Sequence, residues 1–137
     1  MASNTVYSSL AAATGGGAAY TDRLPVRKGG RMAYVHVEEV DWIEARRNYV
    51  FVHRGGESFS LRRTMSSLEA GLDPNKFIRI HRSTIVNVDR IKTLRPLLHG
   101  HGIVELHNGF TLPWSRGYQQ KISPQMKRMA QPGMAIQ

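Results

Sequence analysis

The sequence predicts a mainly β fold with one or two short helices, and three patterns support this prediction. Short runs of β-branched and aromatic residues recur along the chain, as is typical of strands. Glycine pairs and one Asn-Gly dipeptide separate several of these runs, and both favour tight hairpin turns. Only one central segment has a clear helical spacing of apolar residues. We therefore expect antiparallel hairpins with little helix.

Two hairpins are predicted in the first half of the folded region. The Gly-Gly pairs at 29–30 and 55–56 can adopt the positive φ angles of a two-residue turn. The polar residues 46–48 interrupt the apolar pattern between two further runs. We therefore predict strands over residues 24–26, 32–37, 40–45, 49–53 and 58–61.

A short helix is predicted over residues 64–72. Met65, Leu68 and Leu72 have the spacing of one helical face. Thr64 is the candidate N-cap, and the Asp-Pro dipeptide at 73–74 is a stop signal. A helix of this length is expected to pack against a sheet.

A polar triplet interrupts an apolar strand pattern in residues 77–90. The triplet consists of His81, Arg82 and Ser83, with strand-like residues before and after it. Such an interruption predicts a corner that leaves the core and faces a ligand. An arginine presents a planar fork of donors that suits a guanine edge or a phosphate. The pattern therefore indicates a nucleic-acid contact at Arg82.

The last hairpin is predicted at the Asn-Gly dipeptide 108–109, between strands 102–107 and 110–113. Ser115 is the candidate cap of a brief helix through residues 119–122, which Pro124 limits or restarts. This arrangement would place Arg116 at a helix N-terminus, where backbone amides favour a phosphate.

The 137 residues suit one folded domain with less regular ends. We expect a flexible leader or linker at 1–22, a folded domain at 23–123, and a C-terminal extension at 124–137 that frays from residue 131. The leader lacks the basic and apolar regions of a secretory signal. The absence of cysteine excludes disulfides and thiolate ligands, so a cytoplasmic location is expected.

The charge of the chain predicts polyanionic partners. Nineteen Lys and Arg residues against ten Asp and Glu residues give a net charge of +9. The sequence has no long apolar run and no basic amphipathic helix, so membrane insertion is not expected. It also has no glycine-rich phosphate loop and no Ser/His/Asp arrangement. We therefore expect neither an enzyme nor a bound cofactor.

Several ordered blocks resemble the LytTR DNA-binding domain, the output module of bacterial LytR/AlgR-type response regulators in two-component systems. The matching blocks are RLPV at 23–26, WIEA at 42–45 with NYV at 48–50, FIRIHRSTIVN at 77–87, NG at 108–109, and LPWSRGY at 112–118. The resemblance implies an elongated stack of small antiparallel sheets with short helices. It also implies sequence-specific binding of double-stranded DNA and transcription regulation.

The resemblance further implies that loops and strand ends, rather than a recognition helix, enter successive major grooves. Two copies would form a homodimer on repeated half-sites. The segment before residue 23 is too short for a receiver domain, so we expect either an excised output domain or a stand-alone module that depends on a regulatory partner protein. The DNA-binding candidates are Arg47, Asn48, His81, Arg82, Ser83, Ser115, Arg116 and Lys121.

Each main candidate also has a purely structural interpretation. Arg82 could bond carbonyl groups at a strand end, and Arg116 could be a plain residue of a helix start. Asn48 could supply a positive φ angle to its turn. His81 could face inward and fix the corner. A further set of cations is expected to be solvated or to face phosphates, namely Arg62, Arg63, Arg79, Lys92, Arg95 and Lys121.

Two other function classes stay open at the level of sequence. A basic RNA-binding module would need outward-facing aromatic residues, but Tyr49, Phe51 and Phe59 are expected in the core. Trp42 and Trp114 are expected to pack with bonded indole N–H groups. A less favoured class is a metal-binding protein, with a site built from His99, His101, His107 and Glu105.

Overall fold

The computed structural model describes residues 19–130, so the leader up to residue 18 and the end from residue 131 lie outside the described range. Strands dominate the described residues, and the mainly β prediction is confirmed. The strands are β1 (Arg23–Lys28), β2 (Arg31–His36), β3 (Trp42–Arg46), β4 (Tyr49–Arg54), β5 (Glu57–Leu61), β6 (Phe77–His81), β7 (Thr84–Asn87), β8 (Ile91–Pro96), β9 (Gly102–Leu106) and β10 (Thr111–Trp114).

The strands form two antiparallel sheets. The larger sheet has seven strands in the order β2-β1-β5-β4-β3-β7-β6, and the smaller has three in the order β10-β9-β8. Hairpin turns lie at the glycine pairs 29–30 and 55–56 and at the dipeptide 108–109, as the sequence predicts. Gly109 has a φ angle of 96°, which glycine adopts without steric cost.

Two α-helices accompany the sheets. Helix α1 (Met65–Gly71) has the predicted cap, because the Thr64 hydroxyl accepts a hydrogen bond from the Ser67 amide at 3.0 Å. Helix α2 (Gln119–Met129) is longer than the predicted segment 119–122, since it continues through Pro124. Its buried residues Ile122 and Gln125 lie on both sides of the proline position. Tertiary packing therefore outweighs the local preference of proline to end a helix.

Two hydrophobic cores lie on opposite faces of β3, β7 and β6, the last three strands in the order of the seven-stranded sheet. One core, beneath α1, takes Ile43 and Ile85 from these strands, together with Leu68 of the helix. The other core, between the two sheets and α2, takes alternating residues of the same strands, including Trp42, Ile78 and Val86. These three strands are therefore packed on both faces.

The two tryptophans differ in their hydrogen bonding. The indole N–H of Trp114 donates to the Gly100 carbonyl and to Gln119, both at 2.9 Å, as expected. Trp42 packs in the same core, but its buried indole nitrogen has no partner among the described residues, so that part of the prediction is wrong. Its ring stacks on His53 with centroids 4.2 Å apart, and this stacking fixes the indole where no acceptor lies.

The three aromatic residues that were expected in the core are divided between the two faces of the sheet. Phe59 is buried, but Tyr49 is exposed and Phe51 is half-buried. Val50 and Val52 occupy the inward positions of β4, so strand alternation turns Tyr49 and Phe51 outward. The core prediction is therefore wrong for Tyr49 and only partly right for Phe51.

Candidate nucleic-acid interface

The turn between β3 and β4 consists of Arg47 and Asn48. Arg46 pairs with Tyr49 across the hairpin, so the two intervening side chains lie at its tip, and both are exposed. Arg47 has a φ angle of 55°, whereas Asn48 is not among the residues with positive φ. The suggested positive φ of Asn48 is therefore wrong. An arginine in this region costs roughly 1 kcal/mol or more, and such strain is concentrated at functional sites.

The corner between β6 and β7 is held by side chains on both sides of its tip. Arg79 donates hydrogen bonds to the carbonyl groups of His81 and Arg82 and to the carboxylate of Glu69. The His81 ring lies back over the corner, where its Nδ1 atom accepts from the Ser83 amide at 3.2 Å. These contacts fit the inward interpretation of His81. They leave the exposed Arg82 side chain at the tip of a fixed backbone.

From the sequence, Arg79 was expected to be solvated or to face phosphates, whereas in the structure it has another role. Its side chain is only 13% exposed, and its donors hold the corner. Strand alternation places Arg79 on the same face of β6 as Phe77, but it does not reveal the contact with Glu69 on α1.

The segment after β10 begins with Ser115 and Arg116. The Ser115 amide donates to the Ile80 carbonyl at 2.9 Å, which attaches this segment to the end of β6. Ser115 precedes a single 3₁₀ turn (Arg116–Tyr118), but its side chain makes no capping bond, and α2 begins only at Gln119. The predicted cap and the predicted place of Arg116 at the α-helix start are therefore wrong, because one extra turn separates them from α2.

Backbone hydrogen bonds bring these three segments to one end of the molecule. The Ala45 amide donates to the Ser83 carbonyl at 2.9 Å, which connects the β3–β4 turn to the β6–β7 corner. The bond from Ser115 to Ile80 connects the third segment to the same corner. We call this region the basic turn surface, and it comprises Arg47, Asn48, His81, Arg82, Ser83, Ser115 and Arg116.

Within residues 19–130, no carboxylate oxygen lies within 4.0 Å of the side-chain nitrogens of Arg47, Arg82 or Arg116, the three arginines of the basic turn surface. All three side chains are exposed. A guanidinium without an internal anion keeps its donors available for an external one.

Lys121 lies near this surface but has an internal partner. Its ammonium is 2.9 Å from a Glu69 oxygen, and Arg79 binds the other oxygen of the same carboxylate at 3.1 Å. Partial burial raises the pKa of Glu69, but the hydrogen bonds and charges of Lys121 and Arg79 outweigh burial, so the net shift lowers this pKa. Glu69 therefore stays ionised and holds both cations.

Within the described residues, the remaining candidates, namely the surface cations and the suggested histidine cluster, do not form a site. Arg62, Lys92 and Arg95 are exposed at separate places on the surface. Among the described residues, no group of three His, Cys, Asp or Glu side chains is arranged to hold a metal ion. The suggested histidine cluster of 99, 101 and 107 with Glu105 is therefore not formed.

The fold and the basic turn surface define a class of protein, namely a small β module with exposed arginines on its turns. The profile of the LytTr DNA-binding domain family matches residues 30–127. The chain belongs to this family, which is a family of DNA-binding domains and not of enzymes.

Individual proteins agree with this assignment. A solved LytTr DNA-binding domain of Bacillus cereus superimposes with a TM-score of 0.70 at 25% identity, over 80% of this chain and 98% of the other. The sensory transduction protein LytT of Bacillus subtilis is 25% identical over 73% of this chain and 42% of its own length. A response regulatory protein of Vibrio cholerae is 31% identical over 70% of this chain and 38% of its own length.

The chain spans about two fifths of the length of these full-length relatives, with 42% of LytT and 39% of the transcriptional regulatory protein YpdB of Escherichia coli covered. The resemblance that the sequence blocks indicated is thus confirmed at the level of the domain. Among residues 19–130, no helix is both long and apolar enough to span a membrane.

Proposed function

We propose that this chain is a sequence-specific double-stranded DNA-binding module of a transcription regulator, and that its turns enter successive major grooves. The observation that carries the proposal is the basic turn surface, where exposed arginines that have no carboxylate partner in the described part of the chain lie on turns joined by backbone hydrogen bonds. Turns fixed in this way can present side chains to base edges with little loss of conformational entropy on binding.

The residues of the surface divide into two roles. Arg82 and Arg116 are the candidates for bidentate contacts to guanine, because each stands at the tip of a fixed segment. Arg47 and Asn48 lie at the hairpin tip beside them and could contact either bases or phosphates. His81 and Ser83 position the corner, whereas Ser115 and Lys121 are candidates for phosphate contacts that set register.

Membership in this family suggests that two copies bind repeated half-sites on one face of the duplex. The relatives are response regulatory and sensory transduction proteins, so we propose the same setting for the whole protein to which this domain belongs, a cytoplasmic two-component system.

The first experiment selects binding sites from random duplex DNA at two salt concentrations, followed by anisotropy titrations of variants. We expect Arg82→Ala and Arg116→Ala each to weaken discrimination at one base pair by about 1–3 kcal/mol. Arg54→Ala is the matched control, because this arginine lies at the opposite end of β4 and pairs with Glu39 and Glu57.

Unchanged specific binding by folded Arg82→Ala and Arg116→Ala variants would show that the base contacts are assigned to the wrong residues. Selection that enriches no duplex motif would contradict the proposed function itself.

One observation keeps an RNA-binding module as a second candidate. Tyr49 and Phe51 lie on the outward face of β4 with ring centroids 6.4 Å apart, and the Arg46 guanidinium lies 4.8 Å from the Phe51 ring. Exposed aromatic rings with arginines are the pattern on which single-stranded bases stack. A structured RNA competitor in the same titrations separates the two candidates, because only an RNA-binding surface would release the duplex.

A further inference from the structure

An exposed apolar tip adjoins the basic turn surface. The turn between β8 and β9 carries Leu97 and Leu98, which are 51% and 79% exposed. Leu98 is the most exposed large apolar side chain in residues 19–130. Leu97 and Leu98 together form a small apolar patch, and its burial against a bound macromolecule would be favourable.

The shape of this turn is fixed by its backbone. The Leu97 amide donates to the His101 carbonyl at 2.8 Å, and the Gly100 carbonyl accepts from the Trp114 indole at 2.9 Å. His99 and Gly100 have φ angles of 64° and 82°. His99 and Arg47 are the non-glycine residues with positive φ within residues 19–130, and both lie in tips at or beside the basic turn surface. The leucines are therefore presented by a defined tip.

The turn is in contact with Arg116. A Cβ atom placed on Gly100 would lie 2.8 Å from Cγ of Arg116, so only glycine leaves room for the arginine stem. The Arg116 stem therefore packs against the turn that carries Leu97 and Leu98. A duplex bound through Arg116 would approach the leucines of this turn.

We propose that Leu98 contacts the 5-methyl group of a thymine next to the base pair that Arg116 contacts. This inference rests on the proposed function. The thymine methyl is the apolar group that base edges present in the major groove, and apolar side chains contact it there. The leucine would thereby add a preference for thymine that does not depend on salt, since no counterion is released when apolar groups meet.

The test removes single methyl groups from the DNA. Each thymine of the selected operator is replaced in turn by deoxyuridine, which lacks only the 5-methyl group, and affinity is measured for the unmodified protein and for Leu98→Ala. We expect one position at which deoxyuridine weakens binding of the unmodified protein about fourfold, as for the loss of one buried methyl. The same replacement should leave the affinity of Leu98→Ala unchanged.

Phe110→Ala is the control variant, because Phe110 is 53% exposed and lies on the β9–β10 hairpin instead. It should retain the full penalty at the sensitive thymine.

The inference is overturned if every deoxyuridine duplex binds as tightly as the operator, or if the penalty persists in Leu98→Ala. It is also overturned if Leu98→Ala leaves operator binding unchanged but alters the sedimentation of the free protein, because the tip would then be a contact between copies of this chain. These results leave specific DNA binding intact, whereas a failure to select any operator contradicts the proposed function.

Discussion

Cations are arranged differently at the two ends of the seven-stranded sheet. At the end with the β4–β5 turn, Lys28, Arg54 and Arg90 all pair with carboxylates, at 3.4, 3.0 and 2.9 Å for their shortest contacts. At the opposite end, Arg46, Arg79 and Lys121 also pair with carboxylates. The exposed residues Arg47, Arg82 and Arg116 at this end have no such partner among the described residues. We call the first region the paired end. Net charge alone predicts a polyanion partner, and the proposed interface adds a location, namely the exposed arginines that lack a carboxylate partner among the described residues.

The largest effect is expected from replacing Arg79 or Arg90, two arginines whose side chains donate hydrogen bonds to backbone carbonyl groups. Arg79→Met and Arg90→Met each remove charge-assisted hydrogen bonds and leave a carboxylate, Glu69 or Asp41, with fewer partners. We expect a loss of about 1.5–3 kcal/mol in the free energy of unfolding for Arg79→Met and a similar or smaller loss for Arg90→Met. Only Arg79→Met should also weaken operator binding, because it releases the Arg82 backbone.

Urea denaturation measures the free energy of unfolding of each variant. Anisotropy titrations, run at a temperature where both variants are folded, measure the affinity for the operator. Equal losses of DNA affinity in the two variants would contradict the distinction between the ends.

A smaller effect is expected in the dependence of binding on salt. If Arg47 neutralises a phosphate, Arg47→Ala should reduce the slope of log affinity against log salt by about 0.9. Arg54→Ala should leave the slope unchanged, since Glu39 and Glu57 already neutralise this arginine. Titrations at four salt concentrations measure both slopes. A change for Arg54→Ala as large as that for Arg47→Ala would extend the DNA surface to the paired end.

The smallest effect concerns one glutamate at each end. The hydrogen bond from Arg54 is the main cause that lowers the pKa of Glu57. Burial alone would raise the pKa of Glu69, but the hydrogen bonds from Lys121 and Arg79 lower it by more, so the net shift of this pKa is downward. A carboxylate with a lowered pKa stabilises the fold above its unfolded pKa of about 4.3, and this contribution is lost as the pH falls through the folded value.

We therefore expect Glu57→Gln and Glu69→Gln to reduce stability at pH 7 and to match the unmodified protein in strong acid. The difference should be larger for Glu69, whose side chain is 31% exposed against 51% for Glu57. Thermal melts across this pH range provide the measurement. A difference that persists at low pH would mean that packing, and not charge, is responsible.

The features that the sequence predicted well are those that depend on local chemistry. The turn at Gly109 and the cap at Thr64 depend on residues within four positions, so the pattern alone identifies them. The polar corner at Arg82 was likewise visible as an interruption between apolar strand residues.

The features that the sequence missed depend on contacts between distant segments. Helix α2 continues through Pro124 because Ile122 and Met126 pack against the core between the sheets. The role of Arg79 depends on Glu69, ten residues away on α1, and on carbonyl groups that only the folded corner brings together. Neither contact has a periodicity that a single sequence could reveal.

The burial of β6 and β7 on both faces has a consequence for how such a domain can diversify. A deletion of one residue in either strand would exchange the side chains that enter the two cores, because successive residues point to opposite faces. Substitutions at the exposed turns leave this alternation intact. Length changes at the hairpin of Gly55 and Gly56, where a Cβ would meet no atom within 4 Å, leave it intact as well. We therefore expect related domains to vary in tip residues and hairpin lengths, and to keep the length of the β6–β7 segment constant.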